Sequence, residues 1–147
     1  MTDKAPLTIL VVEDEPLNLD MLTRRPRRSG FVVLQALDGR NGVARATTDL
    51  PDLILMDIGL PNLSGLGAIR QLRADAQTKD LKIVALTAHA LSGDWEKAID
   101  AGADDYATKP MDYPGLVAKI GTVSRRRVWN PRDALVGKIV RLGQNLL

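Results

Sequence analysis

Five short apolar, β-rich runs recur along the first three-quarters of the chain: Thr8 to Val12, Phe31 to Ala36, Asp52 to Met56, Lys82 to Leu86 and, more weakly, Asp104 to Ala107. Their starts lie 23, 21, 30 and 22 residues apart, which leaves room each time for one helix and two short loops. The segments between them carry helical spacing and start signals. These are Pro16 at a first turn, Gly39 to Leu50, Ser64 ahead of Leu66, Ile69 and Leu72, Ser92 to Ala101, and Asp112 to Ser124. Gly30 and Gly102 fall where helix C-caps belong. Runs that are apolar on both faces and alternate with helices predict a parallel sheet covered on both sides, built from right-handed βαβ units. The expected fold class is therefore α/β, doubly wound.

Composition closes off other classes. A chain of 147 residues can bury about two-thirds of the surface that its unfolded form exposes, so it needs no covalent or metal staple. With no cysteine there is no disulfide frame, zinc ribbon or thiol chemistry. No apolar run approaches the roughly 20 residues of a membrane-spanning helix, and Leu7 to Val12 is too short for a signal-peptide core. A soluble, cytoplasmic protein without a membrane partner is expected. Lys and Arg number 20 against 18 Asp and Glu, an excess too small to demand a nucleic acid, so such a partner is not expected. Residues 1–127 carry 17 basic and 17 acidic side chains, and residues 128–147 carry three and one, so the whole +2 lies in the last segment.

In doubly wound sheets ligands gather outside the carboxyl ends of the strands. Glu13-Asp14-Glu15 follows the first run, Asp57 the third, Thr87 the fourth and Thr108-Lys109-Pro110 the fifth. Three of these carboxylates, Glu13, Asp14 and Asp57, with the Thr87 hydroxyl and the Lys109 ammonium, would thus share one rim. Crowded carboxylates repel, and a hard divalent cation relieves them; Mg²⁺ suits one or two carboxylates plus water and phosphate oxygens. Asp57 can then act as a nucleophile toward phosphorus, with the Lys109 ammonium and the Thr87 hydroxyl cradling phosphoryl oxygens. Asp14 taken alone reads equally well as a helix N-cap before Pro16.

At this point the chain resembles the receiver domain of two-component response regulators, of the stand-alone, single-domain type. The likeness covers about residues 7–125. It rests on Val11-Val12-Glu13-Asp14-Glu15-Pro16, Asp52 through Pro61 with Ser64-Gly65, Ala85-Leu86-Thr87-Ala88, and Gly102 through Pro110. The resemblance implies a flavodoxin-like five-stranded sheet in the order 2-1-3-4-5, the order of a chemotaxis receiver. It implies Asp57 as phospho-acceptor from a sensor histidine kinase or a histidine phosphotransfer protein. It further implies Mg²⁺ held by Glu13, Asp14, Asp57 and the Gly59 backbone carbonyl, Thr87 and Tyr106 as a switch pair, and a cis Lys109–Pro110 peptide. The expected activity is that of a phospho-accepting switch rather than a metabolic enzyme, limited to self-phosphorylation and autodephosphorylation. It would signal to a downstream protein, with a homodimer through helix 4, strand 5 and helix 5, or through the tail, as one mode of contact. His89, two residues past Thr87, is not read as a catalytic base.

Two features depart from that pattern. Pro26 interrupts the first helix among Arg24, Arg25, Arg27 and Arg28, so a kink or an early end is expected. The arginines read either as cations at a helix C-terminus or as a docking patch. After residue 127 comes a segment of 20 residues, 128–147, with Leu135, Ile139, Leu142 and Leu146 on one helical stripe, Asn130 and Pro131 as a start signal, and Gly137 and Gly143 weakening it. The expected division is a receiver over 1–127 and an amphipathic helical tail over 128–147. The competing enzymatic reading is a Mg²⁺-dependent phosphohydrolase of the haloacid dehalogenase type. That class uses a second Asp two residues after its nucleophile, whereas Asp57 is followed by Ile58-Gly59. A third reading takes Arg125 to Arg127 as a nucleic-acid contact. A P-loop GTPase is excluded for want of its Gly-x4-Gly-Lys element.

Overall fold

A computed structural model of the chain describes residues 6–88 and 93–128, with side chains described through residue 122. His89, Ser92 and the 129–147 part of the expected tail lie outside the described residues, as do the side chains of Arg125 to Arg127. Five strands and five helices alternate: β1 (Thr8–Val12), α1 (Pro16–Arg28), β2 (Val32–Ala36), α2 (Gly39–Asp49), β3 (Leu53–Asp57), α3 (Gly65–Ala74), β4 (Lys82–Thr87), α4 (Asp94–Ala101), β5 (Asp105–Thr108) and α5 (Tyr113–Val128). The sheet is parallel throughout, in the order β2-β1-β3-β4-β5. Among the described residues no helix is long and apolar enough to cross a membrane.

Alternation along each strand divides the core in two. Leu10, Val12, Ile54, Met56, Ile83 and Ala85 pack with Ala46, Ile69, Leu72 and Ala98 of α2, α3 and α4. Ile9, Val11, Leu53, Leu55, Val84 and Leu86 pack with Leu22, Leu116 and Ile120 of α1 and α5. Every residue of β3 is buried, which is why its sequence is a continuous apolar run rather than an alternating one.

The starts of α1, α2 and α3 follow side-chain caps. Asp38 accepts from the Asn41 N–H at 2.8 Å and Ser64 from the Gly67 N–H at 3.1 Å. At α1 the cap is Glu15, whose Oε1 accepts from the Asn18 N–H at 2.9 Å. Asp14 is therefore not the cap, and the N-cap reading of it is set aside.

Pro26 does not end α1 early, because the helix continues to Arg28. In the final turn its missing N–H deprives one carbonyl, that of Leu22, of its helical donor. Its own carbonyl accepts from the Phe31 N–H at 3.1 Å, and the Gly30 N–H reaches the Arg27 carbonyl at 3.1 Å. This paired closure needs the left-handed backbone of Gly30, at φ 101°. Three of the four neighbouring arginines are engaged within the domain. Arg24 pairs with Asp20, Arg25 lies 4.2 Å from the Tyr113 ring centre, and Arg27 donates to the Val33 carbonyl at 2.7 Å. The sequence expectation for α5 stopped at Ser124, but the helix runs to Val128.

Candidate functional site

The carboxyl ends of β1, β3, β4 and β5 deliver the charged rim. Strand pairing sets the heights: Val12 is level with Met56, Asp57 with Leu86, and Thr87 with Thr108. Glu13, Asp57 and Thr87 are each buried, at 0%, 4% and 0% exposure, whereas Asp14 is exposed. One oxygen from each of Glu13, Asp14 and Asp57 lies within 4.8 Å of the others.

Lys109 joins the two buried carboxylates. Its Nζ donates to Asp57 Oδ2 at 3.0 Å and to Glu13 Oε1 at 3.2 Å. The remaining oxygens are held by backbone: Glu13 Oε2 accepts from the Glu15 N–H at 3.1 Å, and Asp57 Oδ1 from the Gly59 N–H at 2.9 Å. The Lys109 N–H is itself fixed to the Thr87 carbonyl at 2.7 Å, and the Lys109–Pro110 peptide is cis. Thr87 Oγ1 is buried and has no hydrogen-bond partner among the described residues. A buried hydroxyl without a partner is costly, so it marks a place where a ligand oxygen would be welcome.

Burial pushes the Glu13 carboxyl above its ordinary value, and the Asp57 charge adds to this, against the Glu15 N–H and Lys109. For Lys109, burial pulls the other way, but Asp57 and then Glu13 outweigh it and raise the ammonium. An all-oxygen donor set with two carboxylates on one lysine leaves net negative charge, which fits a hard cation such as Mg²⁺. Because the folded pKa of Glu13 is raised, its protonation stabilises the metal-free fold at low pH, and that contribution is lost as pH rises through the folded value. Cation binding needs the ionised form. The rise in Tm on adding Mg²⁺ should therefore be larger at neutral pH than at an acidic pH below the raised Glu13 value. An equal rise at both would show that Glu13 does not take part.

Two residues that sequence reasoning left without a role belong to the site's frame. A Cβ on Gly65, at the start of α3, would fall 2.1 Å from the Asp57 carbonyl oxygen and 2.5 Å from Ile58 Cα. The helix start thus presses against the end of β3, at Asp57 and Ile58. The Trp95 indole stacks on the Tyr106 ring, with centres 5.8 Å apart and planes 28° apart. The only sequence hint to Trp95 is that the chain has just five aromatic residues.

This fold and rim define a flavodoxin-type α/β domain with a cation-competent acidic site at its carboxyl edge. The model of the response regulator receiver domain family matches residues 9–121, and the chain belongs to that family. The family is one of phospho-accepting switches of two-component systems that interact with histidine kinases or phosphotransfer proteins. Among curated relatives, the chain is 36% identical over 135 residues to the DNA-binding dual master transcriptional regulator RpaA of Synechocystis, covering 92% of this chain and 56% of that protein. It is 42% identical over 118 residues to the phosphate regulon transcriptional regulatory protein PhoB of Klebsiella pneumoniae, covering 80% and 52%. The chain thus spans about half the length of the curated relatives it matches. Among solved structures, it is similar to the receiver domain of the sensor histidine kinase PA1611 of Pseudomonas aeruginosa, with TM-score 0.77, 38% identity and coverage of 82% and 98%. That crystal structure has a magnesium ion coordinated in its active-site cleft.

Proposed function

We propose that Asp57 accepts a phosphoryl group from a phosphohistidine of a sensor histidine kinase or histidine phosphotransfer protein. A carboxylate oxygen forms the new P–O bond, the P–N bond breaks, and the imidazole leaves. The observation that carries this reading is the buried Asp57 carboxylate held by Lys109 at 3.0 Å across 52 residues of sequence. Lys109 neutralises one phosphoryl oxygen, and the buried Thr87 hydroxyl donates to another. Glu13, Asp14, Asp57 and the Gly59 carbonyl hold Mg²⁺. When bound, that ion offsets the charge of carboxylates and phosphoryl group alike.

Thr87 and Tyr106 are the switch pair in this reading. Tyr106 is level with Ala85 on the neighbouring strand, and Ala85 and Thr87 lie on one face of β4. When Thr87 turns to the phosphoryl group, the Tyr106 ring takes the space it leaves, and the surface of α4, β5 and α5 changes shape. Signalling follows by contact with a downstream protein or a second copy, through that surface or through the tail. We keep the division into a receiver over 1–127 and a tail over 128–147, and a cytoplasmic setting, as parts of the same reading. The expectation of no nucleic-acid partner finds no support in the relatives, one of which is named as DNA-binding. The phosphohydrolase alternative gains nothing: position 59 offers Asp57 a backbone N–H instead of a second carboxylate.

The test is incubation of the chain with acetyl phosphate and Mg²⁺, read by intact mass. The wild type should gain one phosphoryl group and Asp57→Asn none. Equal labelling of both, or of neither, would sink the reading.

A further inference from the structure

We infer that Trp95 is a positioning residue for Tyr106, holding its ring at the surface and so setting how readily the domain switches. The inference rests on the Thr87–Tyr106 pair proposed above. Trp95 lies in the first turn of α4, 40% exposed despite its size. Its indole covers the half-buried Tyr106 ring at a centre distance of 5.8 Å and an interplanar angle of 28°, an offset stack. Lys119 of α5 adds a second contact, with its Nζ 5.8 Å from the centre of the Tyr106 ring. That ammonium is itself anchored to Asp105 Oδ2 at 2.9 Å, so its place beside the ring is fixed by the residue preceding Tyr106.

Both contacts hold the ring where it stands, half-buried between α4 and α5. An inward turn of Tyr106 would give up the stack and the cation contact, and would leave the indole more exposed than it is now. A contact made in one state and lost in the other shifts the equilibrium by its own free energy. Aromatic pairs of this kind are worth enough to change a two-state ratio by about 2- to 10-fold. Trp95 therefore opposes the switched state, and the indole released on switching becomes part of the surface offered to a partner.

The full-length chain carrying Trp129→Phe leaves Trp95 as the sole tryptophan. Adding beryllium fluoride and Mg²⁺, as a stable phosphoryl mimic, should move its emission to longer wavelength, and should not do so with Asp57→Asn. Trp95→Ala should raise the rate of acetyl phosphate labelling by about 2- to 10-fold, and Trp95→Phe, which keeps a ring in the stack, should stay near the wild type. Normal labelling with unchanged Trp95 emission, or equal rates for the wild type, Trp95→Ala and Trp95→Phe, would overturn the inference and leave the proposed function standing. No labelling of the wild type would overturn both. The emission measurement keeps the indole in place, so it decides the matter even where Trp95→Ala does not fold.

Discussion

Replacing Lys109 with methionine should lower the stability of the Mg²⁺-free protein by about 3 kcal/mol, because it leaves two buried carboxylates facing each other without a cation. The Glu13 and Asp57 side chains are 0% and 6% exposed, and Lys109 is 18% exposed, so solvent screens these pairs far less than it screens a surface pair. Methionine keeps most of the stem's packing, which isolates the loss of charge. The raised Lys109 pKa sets the pH window: its stabilising contribution is present below the ordinary lysine value and lost only as pH rises through the higher folded one. Urea unfolding of both proteins in chelator, then in Mg²⁺, provides the measurement. Mg²⁺ should recover more stability in Lys109→Met than in the wild type, since the added cation meets a larger uncompensated charge. Equal stability of the two proteins in chelator would show that the lysine is not holding the carboxylates together.

Gly65→Ala should damage both the fold and the site. The added Cβ meets the Asp57 carbonyl oxygen at 2.1 Å, Ile58 Cα at 2.5 Å and the Asp57 carbonyl carbon at 2.8 Å. All three are backbone atoms, so no side chain can turn aside, and either α3 or the loop after β3 must move. Overpacking of this kind costs about 1–3 kcal/mol, and displacing a reacting group by about 1 Å costs on the order of 10²-fold in rate. We expect a lower Tm together with acetyl phosphate labelling slowed by about that factor. Wild-type Tm with a wild-type labelling rate would mean that the approach of α3 is looser than the geometry indicates.

Most of the fold was legible because both faces of the sheet are buried. Strands such as β3 announce themselves through unbroken apolar runs, here Leu53 to Met56, and their spacing leaves little choice but crossover helices. Boundaries were less legible. Asp104 reads as the start of the last strand, yet β5 begins at Asp105. The Asp104 carboxylate instead accepts from the Ile83 N–H at 2.8 Å and from Arg73 at 2.9 Å. Arg73 also donates to the carbonyls of Gly102, Lys79 and Leu81, binding α3 to the loops before β4 and β5. Nothing local to position 73 distinguishes that arginine from a solvated one. Glu15 displaced Asp14 as the cap of α1 for a similar reason. Either carboxylate is chemically able to cap a helix, and the backbone path decides which one reaches the Asn18 N–H.

By itself, the sequence determined the α/β class, the alternation of elements and the residue types gathered at the carboxyl rim, because periodicity and strand-end chemistry are local properties. Tertiary structure alone decided that Lys109 bridges Glu13 and Asp57, that Thr87 Oγ1 is buried without a partner among the described residues, that Gly65 seats α3 against Asp57 and that Trp95 covers Tyr106. Each of these joins atoms on different elements, and their distances are set by how the helices pack across the sheet, a quantity that no stretch of the chain contains.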